Sequence, residues 1–90
     1  MTDFARRYTE ALETESGSTL GLTDEEVAAV LDLARDVAHA TERLNAPLVS
    51  YAAGKFVLDR TRAGVPMGKA LAEARAAAER ALSGEEPAES

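Results

Sequence analysis

Four stretches of helically spaced apolar residues, separated by glycine and proline signals, constrain what this chain can fold into. Apolar side chains recur every three or four positions over residues 3–16, 24–43, 47–62 and 66–82. This spacing is typical of amphipathic helices, and no alternating strand pattern competes with it. The sequence therefore predicts an all-α fold, a compact four-helix domain over residues 1–84.

Several local signals set the expected helix boundaries. Residues 23–26 (TDEE) read as a capping box, which starts the second helix. Pro47 and Pro66 favour the first turn of a new helix. Gly54 interrupts the apolar face of the third helix, and we expect a close helix crossing there. Residues 85–90 are acidic and contain proline, so we expect a short disordered acidic C-terminal tail.

The composition predicts a thin core. Alanine supplies 19 of the 90 residues, whereas the chain has two Phe, two Tyr and no Trp. Each alanine removes little apolar area from water, so stability must come from many small contacts or from a second subunit. A homodimer with the Ala-rich helices at its interface is therefore one of the interpretations that the sequence leaves open. Tyr8 and Tyr51 lie on apolar stripes, and we expect both in the core.

Charge and composition also disfavour several function classes. The net charge is −6, and no basic run is longer than Arg6-Arg7, which disfavours binding to nucleic acid or to an anionic membrane surface. The absence of cysteine excludes disulfides, Cys-ligated zinc, iron–sulfur clusters and thiol catalysis. No phosphate-loop motif and no membrane-length apolar run is present. We expect a cytoplasmic, soluble protein that is not an enzyme and carries no cofactor.

The densest polar cluster lies at the end of the second predicted helix. Steps of three and four residues place Asp32, Asp36, His39 and Arg43 along one strip of the helix, and Arg35, His39 and Glu42 along an overlapping strip. His39 is the only histidine of the chain, and carboxylates flank it on both sides. The sequence by itself leaves four interpretations of this cluster open.

The first interpretation is ordinary helix-end electrostatics, in which cations complement the negative end of the dipole. The second is a metal site built from Asp36, His39 and Glu42, which needs further ligands from another helix or subunit. The third makes His39 a general base, although no nucleophile is visible nearby. The fourth is a recognition surface that contacts a partner protein or an anionic ligand through Arg35, His39 and Arg43.

One segment carries a more specific pattern. Residues 31–48 (LDLARDVAHATERLNAPL) resemble a small actinobacterial domain family of unknown function, whose pattern reads LxLARDVAH, then ER, then APL. Members occur alone or attached to molybdenum-cofactor guanylyltransferase-like proteins, and their genomic neighbours include formate dehydrogenase accessory proteins. The chain departs from the pattern at Leu44-Asn45. The resemblance draws attention to six partner-binding candidates: Arg35, Asp36, His39, Glu42, Arg43 and Pro47.

The resemblance implies a protein partner, with a molybdenum-cofactor biosynthesis protein as the first candidate. We therefore expect an accessory or protein-interaction domain linked to molybdenum-cofactor or molybdoenzyme maturation. The alternatives are a small-ligand or metal-binding helical domain and a structural homodimerisation module. A catalytic residue is not expected in any of these readings.

Overall fold

The computed structural model describes residues 2–84, in which four α-helices follow one another: α1 (Asp3–Ser16), α2 (Asp24–Ala40), α3 (Asn45–Arg62) and α4 (Met67–Leu82). Residues 2–84 contain no strand. The predicted all-α domain of four helices is thus confirmed. The expected disordered tail at residues 85–90 lies outside the described residues. None of the four helices combines the length and the apolar character that crossing a membrane requires.

The start of α2 is fixed by the predicted capping box, which the structure confirms. The Thr23 hydroxyl accepts a hydrogen bond from the Glu26 amide at 3.1 Å, and the Glu26 carboxylate accepts one from the Thr23 amide at 2.8 Å. Two amides that no helical carbonyl reaches are therefore satisfied. The acids of this first turn also lie at the positive end of the helix dipole.

The end of α2 differs from the expectation, since the helix ends at Ala40 and not at Arg43. Thr41 leaves the helical region (φ −133°, ψ −136°), and its hydroxyl donates to the Val37 carbonyl at 2.6 Å. A threonine that bonds the carbonyl four residues back competes with continuation of the helix. The Asn45 side-chain amide then donates to the Thr41 hydroxyl at 3.1 Å, which fixes the turn into α3.

The two prolines play different parts from those expected. Helix α3 begins at Asn45, so Pro47 is its third residue. An N–H at this position would have no carbonyl acceptor within the helix, so its absence from proline costs nothing. Pro66 lies just outside α4, with an extended backbone (φ −58°, ψ 143°). Its carbonyl still accepts from the Ala70 amide at 3.0 Å.

Helices α2, α3 and α4 pack against one another in all three pairs. Among the described residues only Leu33, Val37 and Ala70 are buried, so the predicted thin core is confirmed. Two cross-helix ion pairs support the packing. Asp36 of α2 pairs with Arg75 of α4, and the Arg60 guanidinium of α3 donates to both Glu73 oxygens of α4 at 3.0 and 3.3 Å.

Helix α1 stands apart from this three-helix unit. No Cα of α1 lies within 8 Å of a Cα in another helix over residues 2–84. Its apolar stripe consequently faces solvent, with Phe4 70%, Tyr8 57% and Leu12 40% exposed. The expectation that Tyr8 is a core residue was wrong, because the helix that carries it has no helix to pack on.

Two expectations about α3 also failed. Tyr51 is 72% exposed and lies under the Lys55 ammonium, 5.6 Å from the ring centre, on the face of α3 that turns away from its neighbours. Gly54 is exposed, and a methyl group added there would meet no atom within 4 Å. This glycine therefore marks no close helix crossing in the described part of the chain.

Replacing Thr23 with Ala tests the capping box. The substitution removes the acceptor for the Glu26 amide, and we expect the free energy of unfolding to fall by about 1 kcal/mol. Chemical denaturation followed by circular dichroism measures the change. Thr19→Ala, in the same exposed connection, is the matched control and should leave the midpoint unchanged. Equal losses in both variants would contradict the cap assignment.

Replacing Glu73 with Gln tests the α3–α4 ion pair. Hydrogen bonding from the Arg60 guanidinium holds the pKa of the Glu73 carboxyl below its usual range. Such a carboxyl stabilises the fold above its unfolded pKa, and the contribution is lost as pH falls through the lowered folded value. Thermal unfolding should therefore place the variant below the wild type at neutral pH, with the gap closing in acid. Glu79→Gln on the same helix should show no such convergence.

Candidate functional site

An apolar groove of about 670 Å³ lies between the three packed helices. We call it the α2–α4 groove. Helix α2 contributes one wall, α3 the second and α4 the third, while Leu22 from the α1–α2 connection reaches its edge. Its apolar walls include Ala29, Val30 and Leu33 of α2, Ala53, Val57 and Leu58 of α3, and Met67, Leu71 and Ala74 of α4.

Small side chains keep this groove open. Ala29, Ala53 and Ala74 alternate with larger residues on its three walls, and Gly54 adds a further gap on α3. Because an added methyl at Gly54 meets no atom within 4 Å, the space in front of α3 is unfilled. Larger apolar side chains remain exposed at its margin, including Leu58 and Leu22. An exposed apolar patch of this kind marks an interaction site more often than an inert surface.

The groove has a charge gradient along its length. Helices α2 and α4 run in the same direction. Near their starts, the Glu25 carboxylate lies 3.5 Å from the position that a Cβ on Gly68 would take. Later in both helices, Asp36 of α2 pairs with Arg75 of α4. Glu25 and Glu26 therefore line the end at which both helices start, which we call the acidic end. Arg75 lines the other end, together with Asp32.

The polar cluster predicted from the sequence lies beside a second, smaller hollow of about 420 Å³. Asp36 and His39 line it from α2, and Arg75 and Glu79 line it from α4. The Asp36 carboxylate is half-buried and forms an ion pair with Arg75. Arg35 is exposed and lies 3.4 Å from the Asp32 carboxylate and 3.5 Å from that of Asp36.

The remaining candidates do not join this hollow. Glu42 and Arg43 are exposed in the turn after α2, and Pro47 is exposed in the first turn of α3. The helical strips that were to unite Glu42 and Arg43 with His39 do not form, because α2 ends at Ala40. Within residues 2–84, no ion pair joins His39, Glu42 or Arg43 to another side chain.

The metal site predicted as one alternative lacks a ligand cluster in the described residues. Over the described part of the chain, no group of three or more His, Asp or Glu side chains is arranged to hold a metal ion. Asp36 and His39 share the smaller hollow, but Glu42 lies outside it. The three residues that the sequence offered as ligands are therefore not brought together.

Sequence reasoning missed the residues that α4 contributes. Arg75 follows Asp36 by 39 positions, and no local spacing rule links residues so far apart. The α2–α4 groove was missed for a related reason. Its walls were read as the buried faces of a filled bundle, which they would be if α1 packed against them. The exposure of these faces could be found only from the arrangement of the helices.

Comparisons with known proteins place the chain in a family without assigning a role. A family model described as "Domain of unknown function (DUF6457)" matches residues 1–89. The search of curated proteins and the search of solved structures found no match. The family match shows neither a taxon nor a fusion partner, so the actinobacterial and molybdenum-cofactor expectations stay predictions.

Two substitutions separate structural from surface residues in the polar cluster. Asp36→Asn leaves Arg75 without its ion-pair partner, and we expect the free energy of unfolding to fall by about 0.5–1 kcal/mol, since the pair is only partly exposed. His39→Ala removes an exposed side chain and should change it by less than about 0.5 kcal/mol. Urea denaturation measures both. A His39 loss as large as that of Asp36 would instead reveal a coupled network.

Proposed function

Because this chain belongs to the DUF6457 family, a domain of unknown function, we propose its role from its own geometry: it is a non-enzymatic protein-interaction domain that binds the apolar face of a helix in the α2–α4 groove. The single observation that supports this proposal is the groove itself. It is open and largely apolar, and three helices form its walls.

A groove between three helices has the shape that a fourth helix of a bundle would fill. An amphipathic helix that lies in such a groove buries its residues at positions i, i+3, i+4 and i+7. Leucine, valine and methionine side chains supply the contact surface, while the alanines let the incoming backbone approach closely. The acidic side chains of Glu25, Glu26 and Asp32 would contact basic side chains on the partner helix.

The turn between α2 and α3 offers a second contact surface for the same partner. Pro47 is flanked by Leu44 and Leu48, and all three side chains are exposed. Exposed leucines beside a rigid proline supply apolar area at little entropic cost. We propose that the sequence candidates Arg35, His39, Glu42 and Arg43 contribute polar contacts around this surface.

A narrower proposal concerns the partner, and it rests on the resemblance of residues 31–48 alone. That resemblance favours an accessory role in molybdenum-cofactor or molybdoenzyme maturation. The partner would then be a molybdenum-cofactor biosynthesis protein, such as the guanylyltransferase-like proteins to which similar domains are attached. The groove proposal does not depend on this identification.

The groove proposal is tested with a matched pair of substitutions. Leu58→Glu introduces a charge on the α3 wall, whereas Leu31→Glu introduces the same charge at a comparably exposed leucine of α2 that does not line the groove. A partner captured by the wild type from the source cell's lysate is purified, and calorimetry then measures its affinity for each variant. We expect Leu58→Glu to weaken binding by roughly tenfold or more, which is a loss of about 1.4 kcal/mol, and Leu31→Glu to leave it unchanged.

The same assay tests the α2–α3 turn with the double variant His39→Ala, Glu42→Ala. A loss with this variant but not with Leu58→Glu would move the binding surface from the groove to the turn. Unchanged binding in both variants would refute the proposal. Circular dichroism of each variant verifies that its helices are intact.

A further inference from the structure

The chain carries two apolar surfaces that have no partner in the described residues: the stripe of Phe4, Tyr8 and Leu12 on α1, and the α2–α4 groove. We propose that α1 of one copy docks into the α2–α4 groove of a second copy, and that the exchange is reciprocal. The inference rests on the proposed function, since it assigns a specific helix to the groove. Each groove of the resulting dimer is closed by the partner's α1.

The two surfaces match in length. From Phe4 to Leu12 the stripe rises over eight residues, which is about 12 Å at the helical rise of 1.5 Å per residue. The groove wall on α4 runs from Met67 to Arg75, again eight residues and about 12 Å. An α1 stripe laid along the groove would therefore cover it from one end to the other.

The two surfaces also match in charge. The first half of α1 carries Arg6 and Arg7 against one acid, Asp3, with which both arginines pair. The charged residues of its second half are all acidic, at positions 10, 13 and 15. The arginine half complements the acidic end of the groove, whereas like-charge repulsion keeps the glutamate half away from that end and places it where Arg75 is paired with Asp36. This pairing orients the docked α1 parallel to α2 and α4.

The orientation and the local structure of the connection favour a second copy over the chain's own α1. To lie parallel to α2 in its own chain, α1 would require residues 17–23 to run back along its whole length. Fourteen residues of helix measure about 21 Å, a span that seven residues reach only when nearly extended.

The connection is instead folded against the end of α1. Gly17 adopts the left-handed conformation (φ 72°), and its amide donates to the Glu13 carbonyl at 2.8 Å. The Glu13 carboxylate accepts from the Leu20 amide at 2.5 Å, and the Ser16 hydroxyl accepts from the Ser18 amide at 3.1 Å. These bonds hold the connection against the end of α1, while the stripe of α1 remains exposed and available to another molecule.

A reciprocal exchange also fits the thin core. Both docking surfaces belong to one chain, so a two-fold axis pairs them twice and closes the assembly. A chain of this size gains the most from such a partner, because small domains bury a low fraction of their surface by themselves. The proposed interface consists of the α1 stripe and the groove, whose walls include Ala29, Ala53 and Ala74.

The experiment is sedimentation equilibrium of the full chain, with Tyr8→Asp as the test variant and Thr14→Asp as the matched control. Both positions are exposed on α1, and Thr14 lies off the apolar stripe. We expect the wild type and Thr14→Asp to be dimers and Tyr8→Asp to be a monomer with unchanged helix content. A monomeric wild type at high micromolar concentration, or a Tyr8→Asp dimer as tight as the wild type, would overturn the inference.

A mixing experiment establishes that the two surfaces meet each other. Tyr8→Asp keeps an intact groove, and Leu58→Asp keeps an intact α1, so each alone should be monomeric. Mixed in equal amounts, they should form a heterodimer with one docked α1. A mixture that stays monomeric would show that α1 does not bind the groove.

The outcomes separate this inference from the proposed function. Binding of the captured partner is measured on Tyr8→Asp, whose groove is unoccupied under either hypothesis. If the wild type is monomeric while Leu58→Asp still loses the partner, the exchange is wrong and the groove proposal stands. If the wild type is a dimer and Tyr8→Asp binds no partner, the exchange stands and the groove serves only self-association.

Discussion

The packing of α2 against both α3 and α4 is the constraint on which the rest of this structure depends. Leu33 and Val37 of α2 and Ala70 of α4 are the buried side chains of the described residues. With so little apolar surface removed from water, the positions of the three helices rely on additional contacts. The ion pairs Asp36–Arg75 and Arg60–Glu73 supply two of these contacts across helix boundaries.

The small side chains that permit this packing also leave it incomplete. Alanine lets helices approach closely but fills little volume, so the space bounded by α2, α3 and α4 stays open as a groove of about 670 Å³. Helix α1 has the apolar stripe that such a groove needs, yet within residues 2–84 none of its Cα atoms lies within 8 Å of a Cα in another helix. An unfilled groove and an unused stripe in one chain are the two features that connect the stability of this domain to the binding proposed for it.

The residues of the polar cluster at the end of α2 differ in what they contact. Asp36 is committed to Arg75 and so belongs to the framework of the domain. His39 lies in the hollow beside this pair, whereas Glu42 and Arg43 lie in the turn, because Thr41 ends the helix early. A single helical face therefore does not hold all the residues that the sequence pattern grouped together. Those outside the ion pairs present their polar groups to solvent, where a partner can reach them.

The sequence by itself determined the helices. The end of α1 and the start of α2 follow from local chemistry, the glycine after Ser16 and the capping box at Thr23, because such signals act within a few residues. The end of α2 at Ala40 and the start of α3 at Asn45 were not predicted. Periodicity identified the apolar faces of α1 and α3 but not their burial, and so Tyr8 and Tyr51 were misplaced. Tertiary structure decided which faces pack, that Arg75 meets Asp36, and that three helices enclose an open groove. These are relations between residues far apart in the chain, which helical spacing cannot encode.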